Sequence, residues 1–239
     1  MNRALGIARV LSMVLVIAAL VATLTDTSGL VPDSLAELAT YFTFQANVIA
    51  LVVWGVVSFY LARRTPMPRW LEYGRAFVAA NLVLVGAIYW IAIAPLGLED
   101  GGQLIFVMIA SHIVTPLFAI ADQTLVGTRS PIPWRHWWVF VAWATIWVNI
   151  AIGRSLLDGP VIYDYLDPAL GLASIVGSLA WNFAVLVACA LGAMRIRRWR
   201  RYEYADAVTS DANAASGVGN ISFKKADQSS GSTSMIPSS

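Results

Sequence analysis

Cysteine is nearly absent: Cys189 is the only one, and it lies inside an apolar run. That excludes an intrachain disulfide and a thiolate metal cluster. Charge is scarce as well, at 13% of residues, where a soluble domain carries about a quarter. Stretches of strict apolar–polar alternation are missing, which argues against a barrel of strands. No nucleic-acid motif occurs, and the basic residues flank apolar segments, so lipid headgroups are the expected neighbours and nucleic acid is not. The reading carries no cofactor and no metal. Only two histidines are present, His112 and His136, so few side chains can exchange a proton near neutral pH.

What the chain does contain is hydrocarbon. It is 58% hydrophobic, with a mean hydropathy of +0.68. Six apolar segments stand out: Leu5–Leu24, Leu38–Leu61, Ala76–Ile93, Leu104–Ala121, Trp137–Ile152 and Leu170–Met194. A spanning helix needs about 20 residues. The third to fifth segments are short of that, and aromatic residues at their ends are expected to supply the rest. The expected fold is all-α: a polytopic membrane protein with six transmembrane helices over residues 1–203. Residues 204–239, rich in Ser, Gly, Asp and Asn, read as a disordered cytoplasmic tail.

Alternating the loops sorts the charges. One side collects Arg3, Arg9, Arg63, Arg64, Arg69, Arg75, Arg129, Arg135, the Arg195–Arg201 cluster, Lys224 and Lys225, leaving Arg154 as the one basic residue of the 16 on the other side. The positive-inside rule then puts both termini in the cytoplasm and fits the cell membrane. Arg3, Arg9 and the following Val10–Leu24 also resemble a cleavable signal peptide, but no small-x-small site follows, and the parity of spans needs this segment. Trp70, Trp134, Trp137, Trp138, Trp199 and His136 read as an interfacial belt. The Arg195–Arg201 cluster reads as a stop-transfer signal or a contact with anionic lipid.

Two polar intrusions interrupt this hydrocarbon. Tyr41-Phe42-Thr43-Phe44-Gln45-Ala46-Asn47 opens the second segment. Asn47 lies one turn beyond Thr43 on the same face. Thr43 is either a hydroxyl bonded back to its own helix, with Asn47 as interhelical glue, or a reactive group. If its helix starts nearer Leu35, Thr43 sits about two turns in. Ser111-His112 interrupts the fourth segment. An ionisable group inside a span is a functional candidate by default, and its plain alternative is a neutral imidazole hydrogen-bonded between helices. Pro116 removes the helical partner of the His112 carbonyl and crowds it, so a kink is expected there, with Ser111 and Thr115 nearby. Burial keeps the imidazole neutral, the form that accepts a proton.

The second and fourth segments run in the same direction, so both intrusions fall in the outer half of the membrane. Threonine becomes a nucleophile only when a base takes its proton, and His112 is the candidate base. Asn47 or Gln45 is a candidate donor to an oxyanion. In the last outer loop, Asp167 before Pro168 fits a helix N-cap; with Asp158 and Asp164 it is also a candidate for a pocket mouth. Arg154 is a candidate partner for one of these acids or for a fatty carboxylate.

These stretches resemble a known family. Tyr41 to Asn47 resembles the Tyr-Phe-Thr…Asn signature of the bacterial Pr6Pr membrane proteins, which are similar to the eukaryotic androgen-induced, FAR-type integral membrane hydrolases. His112 to Leu117 resembles that family's His…Pro motif, and Tyr163 to Asp167 its Tyr-Pro-Phe-Leu-Asp segment, with departures at Asp164, Tyr165 and Ala46. The resemblance implies a threonine hydrolase that cleaves fatty-acid esters of hydroxy fatty acids, with Thr43 as nucleophile and His112 as essential histidine. Membrane lipids and a fatty-acyl ester substrate are the implied partners. Two other functions compete: a lipid-binding or sensing protein with the same pocket, and a small-solute transporter. The last is weakened because the spans show no paired charges and no broken-helix repeat.

Overall fold

The computed structural model describes residues 3–25, 34–63, 65–94, 105–125, 131–157, 159 and 161–215, with side chains up to Trp199. The long apolar segments can satisfy their own backbone only as helices, and among the described residues there is no strand. The helices are α1 (Arg3–Leu24), a short α2 (Leu35–Leu38), α3 (Phe42–Ala62), α4 (Arg69–Ile88), α5 (Ile105–Ile109), α6 (Thr115–Leu125), α7 (Trp138–Leu156) and α8 (Leu172–Ala215). A π-helical turn, Tyr89–Ile93, extends α4, and another, Ala110–Val114, joins α5 to α6 as one bent span. Among the described residues, six helices are long and apolar enough to cross a membrane: Ala4–Leu24, Phe42–Ala62, Arg69–Ile93, Ile105–Leu125, Trp134–Leu156 and Leu172–Trp199.

The described residues divide into two units at Tyr204, the second beginning at Ala205. Of the residues expected to form a tail, those up to 215 are helical and the rest lie outside the described residues, as do the two termini on which the topology expectation rests.

The α4 span is the hub, packed against α3, α6, α7 and the Ala110–Val114 turn. Of its apolar stretch 61% is buried, against 11% for α8. Small residues allow the close packing. Ala76, Ala79 and Ala80 are buried in α4, and Ala46 and Ala50 in α3.

The short segments are lengthened by aromatics, Trp70 and Tyr73 in the third and Trp134 in the fifth, and also by charged and polar residues in the third and fourth. The α4 span starts at Arg69 and carries Glu72 and Arg75 into the bundle, while α6 continues through Asp122 and Gln123 to Leu125. All four side chains are buried. Asp122 takes Arg9 on one carboxylate oxygen and Arg75 Nε, at 2.8 Å, on the other. A second Arg75 nitrogen donates to the Asp122 carbonyl at 2.6 Å. Arg197 pairs with Glu72 at 2.9 Å and donates to Gln123 Oε1 at 3.2 Å.

Ions this deep are tolerated only when paired and hydrogen-bonded. The spans therefore do contain paired charges, contrary to the sequence expectation. Arg197 belongs to this knot and not to the lipid surface: it is fully buried, whereas Trp199 nearby is exposed. The knot also integrates α1, because removing that segment would leave Asp122 without Arg9. Arg198 stacks over Trp134, 4.5 Å from the ring centroid, and so helps hold the belt at that end.

Candidate functional site

The α3 helix begins at Phe42, with α2 as a separate turn before it. Thr43 is therefore in the first turn, not two turns in. The N-cap, Tyr41, makes no side-chain cap, and the first backbone N–H groups of any helix have no partner within it. A collar of aromatics fixes this end. Trp147 of α7 donates its indole N–H to the Thr40 carbonyl at 2.8 Å. Tyr163, from the loop before α8, packs edge-on to Tyr41 and Trp147 at 5.8 and 5.7 Å, and stacks on Tyr165 at 5.5 Å.

The Tyr163 hydroxyl meets the Thr43 hydroxyl and the backbone amides of Thr43 and Phe42. Burial pushes the Tyr163 phenol up, and these hydrogen bonds pull it only partly back. At neutral pH it keeps its proton and can donate it in a hydrogen bond.

Around His112 the helix is remodelled as Pro116 requires. The π-helical turn Ala110–Val114 spans His112, a common way to absorb an interrupted hydrogen-bond ladder at functional sites. The Trp90 indole donates to the freed His112 carbonyl at 3.3 Å. Gly86 of α4 lets this turn come close. A Cβ at Gly86 would lie 3.1 Å from the His112 carbonyl oxygen and 3.1 Å from Pro116 Cγ. Tyr89, the first residue of the other π-helical turn, stacks on the imidazole with centroids 4.0 Å apart and planes at 21°. His112 Nδ1 is 3.2 Å from the Met108 carbonyl oxygen. A carbonyl only accepts, so Nδ1 carries the hydrogen and Nε2 of the neutral ring keeps its lone pair.

Thr43 and His112 line the same cavity, of about 420 Å³, bounded by α3, α4, the His112 turn, α7, the Tyr163 loop and α8. Among the described residues, the ionisable side chains that line it are His112 and three tyrosines, Tyr89, Tyr163 and Tyr165. Among the described residues no hydrogen bond joins Thr43 to His112.

The other residues singled out from the sequence lie elsewhere. The Asn47 amide donates back to the Thr43 carbonyl at 2.9 Å, and Gln45 to the Ala39 carbonyl at 2.6 Å. Neither lines the cavity, and the reason is local: each amide is tied to the backbone of its own helix or the turn before it. Ser111 is buried behind the imidazole turn, its carbonyl accepting from Thr115 at 3.1 Å. Asp167 caps the short turn Pro168–Leu170 through the Ala169 N–H at 2.8 Å. Arg154 ends α7 and accepts through its carbonyl from Gly159 at 2.9 Å. Asp158 lies outside the described residues. His136, read as interfacial, hydrogen-bonds through Nδ1 with the Tyr73 hydroxyl.

Tyr89 and Trp90 were not legible as site residues, because aromatics within an apolar run carry no sign of what they face. Tyr163 was marked only as part of the Tyr163–Asp167 stretch, with no role of its own.

The fold and the cavity define a multi-pass helical membrane protein with a neutral, mostly apolar chamber near one end of the bundle. No protein family, curated protein or solved structure matches the chain.

Proposed function

We propose that the protein is an intramembrane lipid-ester hydrolase of the cell membrane, both termini in the cytoplasm, with Thr43 as nucleophile and His112 as base. The observation that carries this reading is the shared cavity. A hydroxyl and an imidazole with a free Nε2 lone pair border one apolar chamber in a protein built for a lipid environment. The resemblance of the Tyr41–Asn47 and His112–Leu117 stretches to Pr6Pr and FAR-type proteins supports the same assignment. The distribution of basic residues supports the topology.

The chemistry follows from these groups. Thr43 Oγ1 attacks the ester carbonyl carbon while His112 Nε2 takes its proton. The carbonyl oxygen gains the negative charge. The Tyr163 hydroxyl, which the Phe42 and Thr43 amides polarise by donating to its oxygen, is the donor beside Thr43 that can stabilise it. It replaces Asn47 and Gln45 in that role. The tetrahedral intermediate then expels the alkoxide, which takes the proton from His112 and leaves as alcohol. Water, deprotonated by the same imidazole, attacks the acyl-threonine and releases fatty acid and free Thr43.

A fluorophosphonate probe tests the reading on purified protein. Labelling is expected in the wild type and lost in Thr43→Ala and His112→Ala. If both variants hydrolyse a long-chain ester at the wild-type rate, the mechanism is wrong.

One observation favours the second reading, a lipid-binding protein without turnover: the Thr43 hydroxyl is engaged by Tyr163 and not by His112. Lipid that co-purifies with the wild type and is never cleaved would establish that alternative.

A further inference from the structure

The walls of the chamber reach further around α7 and α8 than a closed cavity requires. On α7 they include Ala144, which is buried, and Asn149, which is exposed. Five residues along a helix turn the side chain by about 140°, so Asn149 faces away from the core that holds Ala144. On α8 they include Asn182 and Ala180, which stand about 160° apart around the helix. Ala180 and Val176 lie one turn apart on the same flank and are both exposed, Val176 by 54%. A space bordered by the inward and the outward sides of the same two helices is open between them.

The slot is bounded at both ends. Trp137, just before α7, meets Phe183 of α8 edge-on at 6.5 Å. Toward the other end, the turn Pro168–Leu170 that leads into α8 packs against α7, and Tyr163 lies against Trp147 at 5.7 Å.

Depth decides what stands outside it. Thr145, also in the lining, is the midpoint of the Trp134–Leu156 span. Asn149 stands about 10 Å inside the Leu156 end, at about 1.5 Å per residue. The hydrocarbon layer is about 30 Å thick, so the slot faces acyl chains and not water. Among the described residues the Asn149 amide makes one hydrogen bond, to the Thr145 carbonyl at 2.7 Å, and keeps a second N–H and its oxygen. Hydrocarbon satisfies neither. The ester carbonyl of a lipid passing this lip satisfies the N–H.

We infer that the chamber is filled from the side: the acyl chain of a bilayer lipid enters through the slot between α7 and α8, and not from water. The inference goes beyond the hydrolase reading and does not need it, since it rests on the spans and the lining alone.

The test uses the full chain in nanodiscs of phosphatidylcholine doped with a phosphatidylcholine that carries a diazirine at the end of one acyl chain. In the wild type, irradiation is expected to label Leu84 and Ile88 of α4, which line the chamber and are buried. Ala180→Trp puts a ring in the mouth of the slot and should abolish that label with the unfolding midpoint unchanged, because Ala180 is exposed. Val176→Trp repeats the block one turn away and should give the same loss. Ala188→Trp, also exposed on α8 but outside the lining, should keep the label.

Wild-type labelling of α4 in both blocked variants overturns the route. Absence of label from the chamber walls of the wild type overturns the occupant. Disulfide formation between copies of Val176→Cys/Cys189→Ser on mild oxidation, with no label in the chamber, assigns the slot to a second copy of the chain and also overturns the proposal. Loss of label in the blocked variants with no ester hydrolysis by the wild type upholds the route and sinks the hydrolase. Hydrolysis of a long-chain ester at the wild-type rate in Ala180→Trp overturns the route and leaves the Thr43–His112 chemistry standing.

Discussion

The knot at Asp122 and the chamber at Thr43 are both polar interruptions of apolar helices, but one is filled with charge and the other is hollow and neutral. In the knot, Arg9, Arg75, Arg197, Glu72 and Asp122 are nearly inaccessible, and each is held in an ion pair. In the chamber, Thr43, Tyr163 and Asn182 are only half-buried and border open space. Charges that close on each other tie helices together. Neutral groups beside an open space are available to a ligand. The contrast gives each region a distinct signature on substitution: loss of stability for the knot, loss of turnover for the chamber.

Thr43→Ala should have the largest effect. Ester hydrolysis should fall to background, and His112→Ala should lower it by about a hundred- to ten-thousandfold. Stability should change by less than about 1 kcal/mol in Thr43→Ala, as expected for a half-buried site. Thr43→Ser should retain part of the rate. A large fall in stability in Thr43→Ala would erase the distinction between the two regions.

Next comes Asp122→Ala, which strands two guanidiniums. It should cost about 3–5 kcal/mol in denaturant unfolding in micelles. An unchanged unfolding midpoint would mean that the knot is not what ties α1, α4 and α6 together. Tyr163→Phe removes one donor beside Thr43 and should slow hydrolysis about a hundredfold, with little change in apparent affinity for the ester. Gly86→Val intrudes on the His112 carbonyl and Pro116, so it should cost about 1–3 kcal/mol by overpacking and also reduce the rate by moving the imidazole. The smallest effect is expected for Trp90→Phe. It deprives the His112 carbonyl of its indole donor, at about 1 kcal/mol in thermal or denaturant unfolding.

The spans were legible because a run of about 20 apolar residues has few alternatives to a membrane helix. Thr43 and His112 were legible for the complementary reason: polar groups in such runs are costly enough to need an explanation. The proline at 116 even located the distortion, although its form, a π-helical turn with an indole donor from the neighbouring helix, depends on contacts between segments. The knot was misread because a sorting rule absorbed its arginines. Arg9, Arg75 and Arg197 served as topology markers, and the acids that neutralise two of the spans went unweighed. A signal was present. Before residue 203, Glu72 and Asp122 are the only acidic residues on the basic side of the alternating loops. Each also lies within about a turn of an apolar run, where burial with a cation is the natural outcome.

The Ala110–Val114 turn carries a consequence for how this protein tolerates changes of length. An ordinary helix advances about 100° per residue, and a wide turn holds one residue more than the regular spiral would. Deleting a single residue there would restore an even winding and leave the Ile105–Ile109 segment nearly in phase with α6, so the span should survive while the imidazole loses its alignment with the Met108 carbonyl. The spare residue is absorbed locally, and a length change at this turn is expected to be felt by the ring that faces the chamber and not by the packing of the helix ends.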